Sequence, residues 1–300
     1  MADPLVGDLE AAWETVSAHL RPTPLVRSHW AGASLKLESH QQTGAYKVRG
    51  ALVALQAQVA RGDHRPVIAA SAGNHAAGMA WAARRLGLEA VAVVPACAPV
   101  SKVARTRALG ARVIRHGRDF AEAAAHATDL ARSNGWRFLH PFDDPHIIAG
   151  QSTIGRELSE HSPDVVLVPV GGGGLAAGVS LSFSGTRTHV IGVRVRASER
   201  MDSVADGTRV ARLGKRNAAL LDVHLDGMIT VSEAEVHAAM RGLYRREGLI
   251  VEGAGAVAVA GLRHVPQGRR VAIISGGNID RGDFKHIVLH AGSDVRSRVA

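Results

Sequence analysis

The sequence contains a single cysteine, Cys97, and no apolar run long enough to span a membrane. One cysteine cannot form an intrachain disulfide, which fits a reducing compartment. A membrane-spanning helix needs roughly 20 mostly apolar residues. Residues 1–10 also lack the basic and apolar segments of a signal peptide. We therefore expect a cytoplasmic protein that has no membrane partner.

Aromatic residues make up only 4% of the chain and lysines number five, although the net charge is +9. Arginine supplies nearly all of the positive charge, and the arginines are spread along the chain without forming a basic run. A nucleic-acid-binding surface needs a basic stripe or stacking aromatic residues. We therefore expect no nucleic-acid partner and interpret the arginines mainly as a solvated surface.

Six short apolar runs rich in Val, Ile and Leu recur along the chain, and Ala-rich stretches with helical spacing lie between them. The runs are residues 34–39, 66–71, 89–95, 165–170, 189–195 and 271–275. The clearest helical stretches are residues 76–86 and 232–247. Because the runs are continuous rather than alternating, they predict strands buried on both faces. The alternation of strands with helices predicts a mostly parallel α/β sheet.

Three of the predicted strands end in glycine-containing turns. These turns are Ser71-Ala72-Gly73-Asn74-His75, Gly171-Gly172-Gly173-Gly174 and Ser275-Gly276-Gly277-Asn278. Ligands bind at the carboxyl ends of the strands in parallel sheets. The three turns therefore predict one pocket that distant parts of the sequence share.

Four consecutive glycines, residues 171–174, precede an expected helix. Glycines let the backbone approach an anion closely, and the start of a helix offers free N–H groups, so a phosphate is the natural occupant. Gly171, Gly173 and Ala176 also fit a loose dinucleotide-binding pattern, with Arg194 placed to meet a 2′-phosphate. A tight turn with close helix–sheet packing is a third interpretation, and these residues alone leave all three open.

Lys47 and the turn at residues 71–75 are candidates for chemistry. Burial disfavours the charged form of a lysine and makes its amine available to an aldehyde, but a surface lysine at a helix start is an equal alternative. The turn exposes successive N–H groups that suit a carboxylate. Asn74 can also hydrogen-bond a phenolic oxygen. Helix capping and packing are the alternative roles of Asn74 and His75.

Taken in order, seven segments resemble the fold-type-II pyridoxal-phosphate enzymes, most closely the threonine/serine dehydratase (ammonia-lyase) branch. The segments lie within residues 36–51, 71–78, 95–102 with 110–111, 141–151, 171–175, 252–256 and 275–278. The resemblance implies a two-domain α/β fold like that of the tryptophan synthase β chain, with mostly parallel sheets and helices on both faces. It implies a large cofactor-binding domain, residues 1–65 and 144–300, and a small domain, residues 66–143, that carries the carboxylate loop.

The same resemblance implies the site residues. Lys47 would be the catalytic residue. The cofactor, pyridoxal 5′-phosphate, would contact Tyr46, Lys47, Asn74, Gly171, Gly172, Gly173, Gly174, Leu175, Glu252, Ser275 and Gly276. The substrate would contact Ser71, Ala72, Gly73, Asn74 and His75. The expected activity is that of a lyase, namely α,β-elimination of a small β-hydroxy amino acid such as L-threonine or L-serine to a 2-oxo acid and ammonia. The expected oligomeric state is a homodimer.

Several positions depart from the usual pattern of that family. Tyr46 stands in place of a phenylalanine, and Ala45 in place of a common serine. Arg194 occupies a position where some members carry an acidic metal ligand, and residues 191–207 form a shortened segment, so we expect no divalent metal. Ala72 stands where racemase-like members carry a serine, which favours elimination. Racemisation, β-replacement and, more remotely, NADP-dependent oxidoreduction are the alternatives.

Overall fold

The computed structural model describes residues 7–199 and 203–289, which contain ten strands in two sheets. The strands are β1 (Leu25–Ser28), β2 (Ala33–Leu37), β3 (Val67–Ala70), β4 (Ala90–Val94), β5 (Arg112–Arg115), β6 (Arg137–Phe138), β7 (Val165–Pro169), β8 (His189–Val195), β9 (Gly227–Val231) and β10 (Arg270–Ile274). All six predicted strands are present, within two residues of the expected bounds.

Eleven α-helices occur in the same described ranges. They are α1 (Leu9–His19), α2 (Lys47–Val59), α3 (Asn74–Arg85), α4 (Val100–Ala108), α5 (Phe120–Asn134), α6 (Pro145–Ser159), α7 (Gly174–Ser182), α8 (Lys215–His224), α9 (Glu233–Glu247), α10 (Gly253–Gly261) and α11 (Arg281–Leu289). Short 3₁₀ helices lie at Glu38–His40, Asp206–Thr208 and Leu262–His264. Among the described residues, no helix has the length and apolar character needed to cross a membrane.

The larger sheet has six strands in the order β1-β2-β10-β7-β8-β9. All neighbours are parallel except β1, which runs antiparallel to β2. Val271 and Ile273 of β10 pack with α6, α7 and α8, whereas Ala272 and Ile274 pack on the opposite face with α9, α10 and α11. Helices therefore cover both faces, which explains the continuous apolar runs and confirms the predicted fold class.

The smaller sheet has four parallel strands in the order β5-β4-β3-β6. Val67 and Ala69 of β3 pack with α2 and α3, whereas Ile68 and Ala70 pack with α5. The strands of this sheet lie between Val67 and Phe138. The division into domains at residues 66 and 143 stays a prediction.

Candidate active site

A cavity of about 1080 Å³ lies where strands of both sheets end. Its wall includes residues that directly follow the carboxyl ends of β3, β4, β7 and β10. The three glycine-containing turns of the sequence all contribute to this one wall, as the strand order predicts. Tyr46, Lys47 and Glu252 line the same cavity.

Lys47 is the first residue of α2, and its backbone is held from two directions. The Tyr46 N–H donates to the carbonyl oxygen of Ser275 at 3.1 Å, which ties the start of α2 to the end of β10. On the other side, a Cβ at Gly78 of α3 would lie 3.0 Å from the carbonyl carbon of Lys47, so a glycine is needed there. The Lys47 Nζ donates to the carbonyl oxygen of Pro141 at 2.7 Å and lies 5.1 Å from the centroid of the Tyr46 ring.

The predicted carboxylate loop joins β3 to α3. The Gly73 N–H donates to Ser71 Oγ at 3.1 Å, so this hydroxyl is engaged by its own loop. Asn74 and His75 are the first two residues of α3, where backbone N–H groups have no partner within the helix. Ala72 lines the cavity beside them.

The imidazole of His75 is buried and Nε2 lies 3.0 Å from the carbonyl oxygen of Leu139. Burial, with a smaller contribution from the nearby Lys47, lowers the pKa of His75 to about 3. The ring is therefore neutral and serves packing inside the protein. The predicted contact of His75 with substrate stays a prediction.

The four glycines lie between β7 and α7. Gly173 has φ +95°, a conformation that L side chains rarely adopt. A Cβ at Gly172 would come within 2.5 Å of the Phe142 ring, so the backbone passes closer to that ring than any side chain allows. The N-terminus of α7 follows directly, and its N–H groups and dipole suit an anion.

Asn217 of α8 fixes this glycine turn, although the sequence analysis did not single it out. Its Nδ2 donates to the carbonyl oxygens of Gly172 at 2.8 Å and Phe142 at 3.1 Å. Asn217 is separated from the glycines by more than 40 residues, and a lone asparagine in a helix gives no local signal. Leu175, predicted at the cofactor, is buried at the start of α7 and lines the cavity.

Ser275 and Glu252 form the part of the wall next to β10. Ser275 is buried and its Oγ donates to the carbonyl oxygen of Ala254 at 3.2 Å. Burial, with a smaller contribution from the nearby Asp206 carboxylate, raises the pKa of Glu252 to about 8. A Cβ at Gly276 would lie 2.3 Å from Glu252 Oε1, so the glycine leaves space for that carboxyl group.

The residues on this wall fit pyridoxal phosphate. A lysine amine, a glycine turn leading into a helix start, and a buried serine hydroxyl surround one cavity. The amine suits an aldehyde, the glycine turn suits a phosphate, and the serine hydroxyl suits a ring nitrogen. Within the described ranges, no three His, Cys, Asp or Glu side chains are placed to hold a metal ion.

A sequence profile of the family described as "Pyridoxal-phosphate dependent enzyme" matches residues 16–277. The chain belongs to this family. Membership confirms the resemblance found in the sequence and the predicted cofactor, pyridoxal phosphate. The roles of the individual site residues stay predictions.

Two curated relatives are similar over most of the chain. An L-threonine ammonia-lyase of Thermotoga maritima is 42% identical over 276 residues, which are 85% of this chain and 69% of that protein. A catabolic L-threonine dehydratase of Staphylococcus aureus is 35% identical, and the match covers 95% of this chain and 92% of that protein.

Solved structures show the same similarity. The processed form of threonine deaminase isoform 2 from Solanum lycopersicum is 33% identical with a TM-score of 0.86, and the match covers 96% of this chain and 90% of that chain. A pyridoxal 5′-phosphate-dependent aspartate racemase is 28% identical with a TM-score of 0.87, and the match covers 95% of this chain and 99% of that chain. The same fold is therefore found in a threonine deaminase and in an aspartate racemase.

Proposed function

We propose that this protein is a pyridoxal-phosphate-dependent ammonia-lyase that converts L-threonine or L-serine to a 2-oxo acid and ammonia. The observation that carries the proposal is the single cavity on which Lys47, the four glycines and Ser275 converge. The relatives named for threonine ammonia-lyase and dehydratase activity support the same reaction and substrate.

The side chains of this protein supply binding and proton transfer. The Lys47 amine removes the proton from the α-carbon of the substrate. The N–H groups at the start of α3 hold the substrate carboxylate, and the glycine turn with the start of α7 holds the cofactor phosphate. When bound, pyridoxal phosphate withdraws the electron pair that this deprotonation leaves on the substrate. Loss of the β-hydroxyl as water, and then hydrolysis of the nitrogen-bearing product, yields the 2-oxo acid and ammonia.

Ser275 and Ala72 favour elimination over racemisation. The Ser275 hydroxyl, unlike a carboxylate, does not enforce protonation of a ring nitrogen, so a long-lived negative charge at the α-carbon is disfavoured. Racemisation also needs a proton donor opposite Lys47, and the Ala72 methyl group has no exchangeable proton. The neighbouring Ser71 has an exchangeable proton, but it lies one residue away in the loop and its oxygen accepts from the Gly73 N–H, so we expect it to point away from the position that a residue-72 donor would take. Racemisation is the second candidate because a similar solved structure is an aspartate racemase.

The test compares Lys47→Ala with Lys215→Ala in the purified protein. Lys215 also begins a helix, but its side chain is exposed and does not line the cavity. We expect Lys47→Ala to lose 2-oxo acid release by several orders of magnitude, while Lys215→Ala retains the wild-type rate. Borohydride reduction should attach the cofactor to Lys47. Attachment to Lys36 or Lys102 would contradict the assignment.

Chiral chromatography of the products separates the two candidate reactions. The elimination proposal expects 2-oxo acid and ammonia in equal amounts with little D-amino acid. D-isomer accumulating as fast as the 2-oxo acid would favour the racemase. The homodimer and the cytoplasmic location also stay predictions, and light scattering of the purified protein tests the first.

A further inference from the structure

A chain of four polar side chains runs along the cavity wall from Arg105 to Glu252. Arg105 Nη1 donates to Asn278 Oδ1. Asn278 Nδ2 donates to Asn74 Oδ1 at 2.6 Å, and Asn74 Nδ2 donates to Glu252 Oε1 at 2.7 Å. All four residues line the cavity, and they come from α4, the segment after β10, the start of α3 and the residue before α10.

The chain of hydrogen bonds has a direction, which Arg105 sets. A guanidinium has donors only, whereas a side-chain amide has one donor end and one acceptor end. Asn278 Nδ2 also donates to the carbonyl oxygen of Thr43 at 2.8 Å, so both of its hydrogens are used. A flipped Asn278 amide would place its oxygen against two acceptors and its nitrogen against the guanidinium.

The orientation of Asn278 in turn fixes that of Asn74. Because Asn74 Oδ1 accepts from Asn278, the donor end of Asn74 is the one left to face other partners. One of its two hydrogens goes to Glu252. The second remains for a ligand in the cavity. A donor at this point favours the ionised form of a ligand oxygen that it contacts.

We propose that Arg105 is a positioning residue that acts through Asn278 to hold the Asn74 amide as a hydrogen-bond donor toward the cofactor. This inference rests on the proposed function and on the expectation from the sequence that the Asn74 amide hydrogen-bonds the phenolic oxygen of pyridoxal phosphate. Arg105 itself needs no contact with the cofactor or the substrate. Its second contact, from Nη2 to the carbonyl oxygen of Thr43 at 2.8 Å, holds the guanidinium in place.

The inference predicts a spectroscopic change. The pH at which the visible absorption band of the bound cofactor titrates depends on whether Asn74 donates to it. The charged and titratable groups near this point are Lys47, His75, Lys102, Arg105, Asp206 and Glu252. Arg105→Ala removes the donor to Asn278 Oδ1 and leaves only the Thr43 carbonyl to orient that amide, so flipped amides become populated and the midpoint should rise by about half to one pH unit, the equivalent of up to one hydrogen bond.

The experiment titrates the visible band of purified holoenzyme in the wild type, Arg105→Ala, Asn278→Ala and the double variant. Arg107→Ala is the matched control, because Arg107 is exposed on the same helix and does not line the cavity. Arg107→Ala should titrate as the wild type does. Arg105→Lys should partly restore the wild-type midpoint, since lysine is also a donor.

If Arg105 acts through Asn278, each single variant and the double variant should show the same shift. Additive shifts would mean that Arg105 acts through its charge alone, which overturns the inference. A midpoint for Arg105→Ala equal to that of Arg107→Ala also overturns it. A wild-type protein with no visible band would instead refute the proposed function, so the two failures are distinguishable.

Discussion

Two groups of paired charged side chains differ in burial, and only the second lines the cavity. The first, which we call the buried cluster, consists of Lys36, Glu38, Arg49 and Glu157, all with side chains at most 6% exposed. The second, the cleft pair, is Lys102 with Asp206, whose side chains are 33% and 45% exposed and whose Nζ and Oδ2 atoms are 2.7 Å apart.

The buried cluster includes Arg49, which lies in the helix that Lys47 begins, and it pairs every charge. Arg49 Nε and Nη2 each donate to one oxygen of Glu38 at 2.8 Å, and Nη1 donates to Glu157 Oε1 at 2.6 Å. Lys36 Nζ donates to Glu157 Oε2 at 2.5 Å. Two cations thus balance two anions, as burial of charge requires. The cluster joins β2, α2 and α6, and so supports the helix that begins with Lys47.

The cleft pair joins the regions of the two sheets instead. Lys102 belongs to α4, which packs beside β5 of the smaller sheet, while Asp206 lies in the 3₁₀ helix that contacts α10 of the larger one. An exposed pair of this kind is weak and can break and re-form in water. The ion pairs of the buried cluster, in the helix that Lys47 begins, are therefore expected to persist. The exposed cleft pair is expected to break and re-form.

The largest effect is expected from breaking the buried cluster. Arg49→Met leaves the carboxylates of Glu38 and Glu157 buried with one cation between them. We expect the free energy of unfolding to fall by about 3–5 kcal/mol. Urea unfolding measures it, with Arg156→Ala as control, because the pair of Arg156 with Glu10 is exposed and should contribute at most about 1 kcal/mol. Equal losses in the two variants would refute the distinction between buried and exposed pairs.

The second prediction compares two buried carboxyl groups, Glu157 and Glu252. Burial raises the pKa of both, but Arg49 and Lys36 outweigh it at Glu157 and lower that pKa overall. Among the residues that the structure describes, no cation lies within hydrogen-bond reach of Glu252, and burial raises its pKa from 4.5 to about 8. The folded protein therefore binds the Glu252 proton more tightly than the unfolded chain does.

The contribution of Glu252 to stability is thus fully present below about pH 4.5 and is lost as the pH rises through about 8. Between these values, wild-type protein freed of cofactor should lose stability relative to Glu252→Gln, which cannot ionise. Urea unfolding of both proteins across that range tests the prediction. A constant difference between them would show that Glu252 does not change protonation there.

The smallest effect is expected at the cleft pair. A double-mutant cycle of Lys102→Ala and Asp206→Ala should give a coupling energy of about 0.2–1 kcal/mol. Because the side chains are partly exposed, molar salt should remove most of it. A coupling that exceeds 2 kcal/mol, or one that salt leaves unchanged, would place this pair with the buried cluster.

The sequence predicted the central strands but not the edge strands. β2, β3, β4, β7, β8 and β10 are continuous apolar runs because both of their faces are covered. β5 and β9 are edge strands. Both ends of β5 are exposed, and burial alternates along β9, so neither strand is a continuous apolar run. A criterion based on apolar runs therefore misses strands at the edge of a sheet.

Site residues that stand in a local sequence pattern were predicted, whereas those that act only through long-range contacts were missed. Lys47 stands at a helix start, and the glycines of residues 171–174 form a turn after a strand, so a local pattern marks each of them. Arg105 and Asn217 act through contacts with residues more than 40 positions away. Such contacts exist only in the folded chain, so no local pattern marks them.

The position of β10 has a consequence for how the protein is made. β10 is the last strand of the described ranges, yet it lies in the middle of the larger sheet between β2 and β7. Until the ribosome has released this strand, β2 and β7 have no central partner, and Ser275 has not reached Tyr46. The wall of the cavity is therefore completed only after β10 has been synthesised. Such long-range parallel pairing is slow, so the nascent protein exposes open strand edges that favour aggregation.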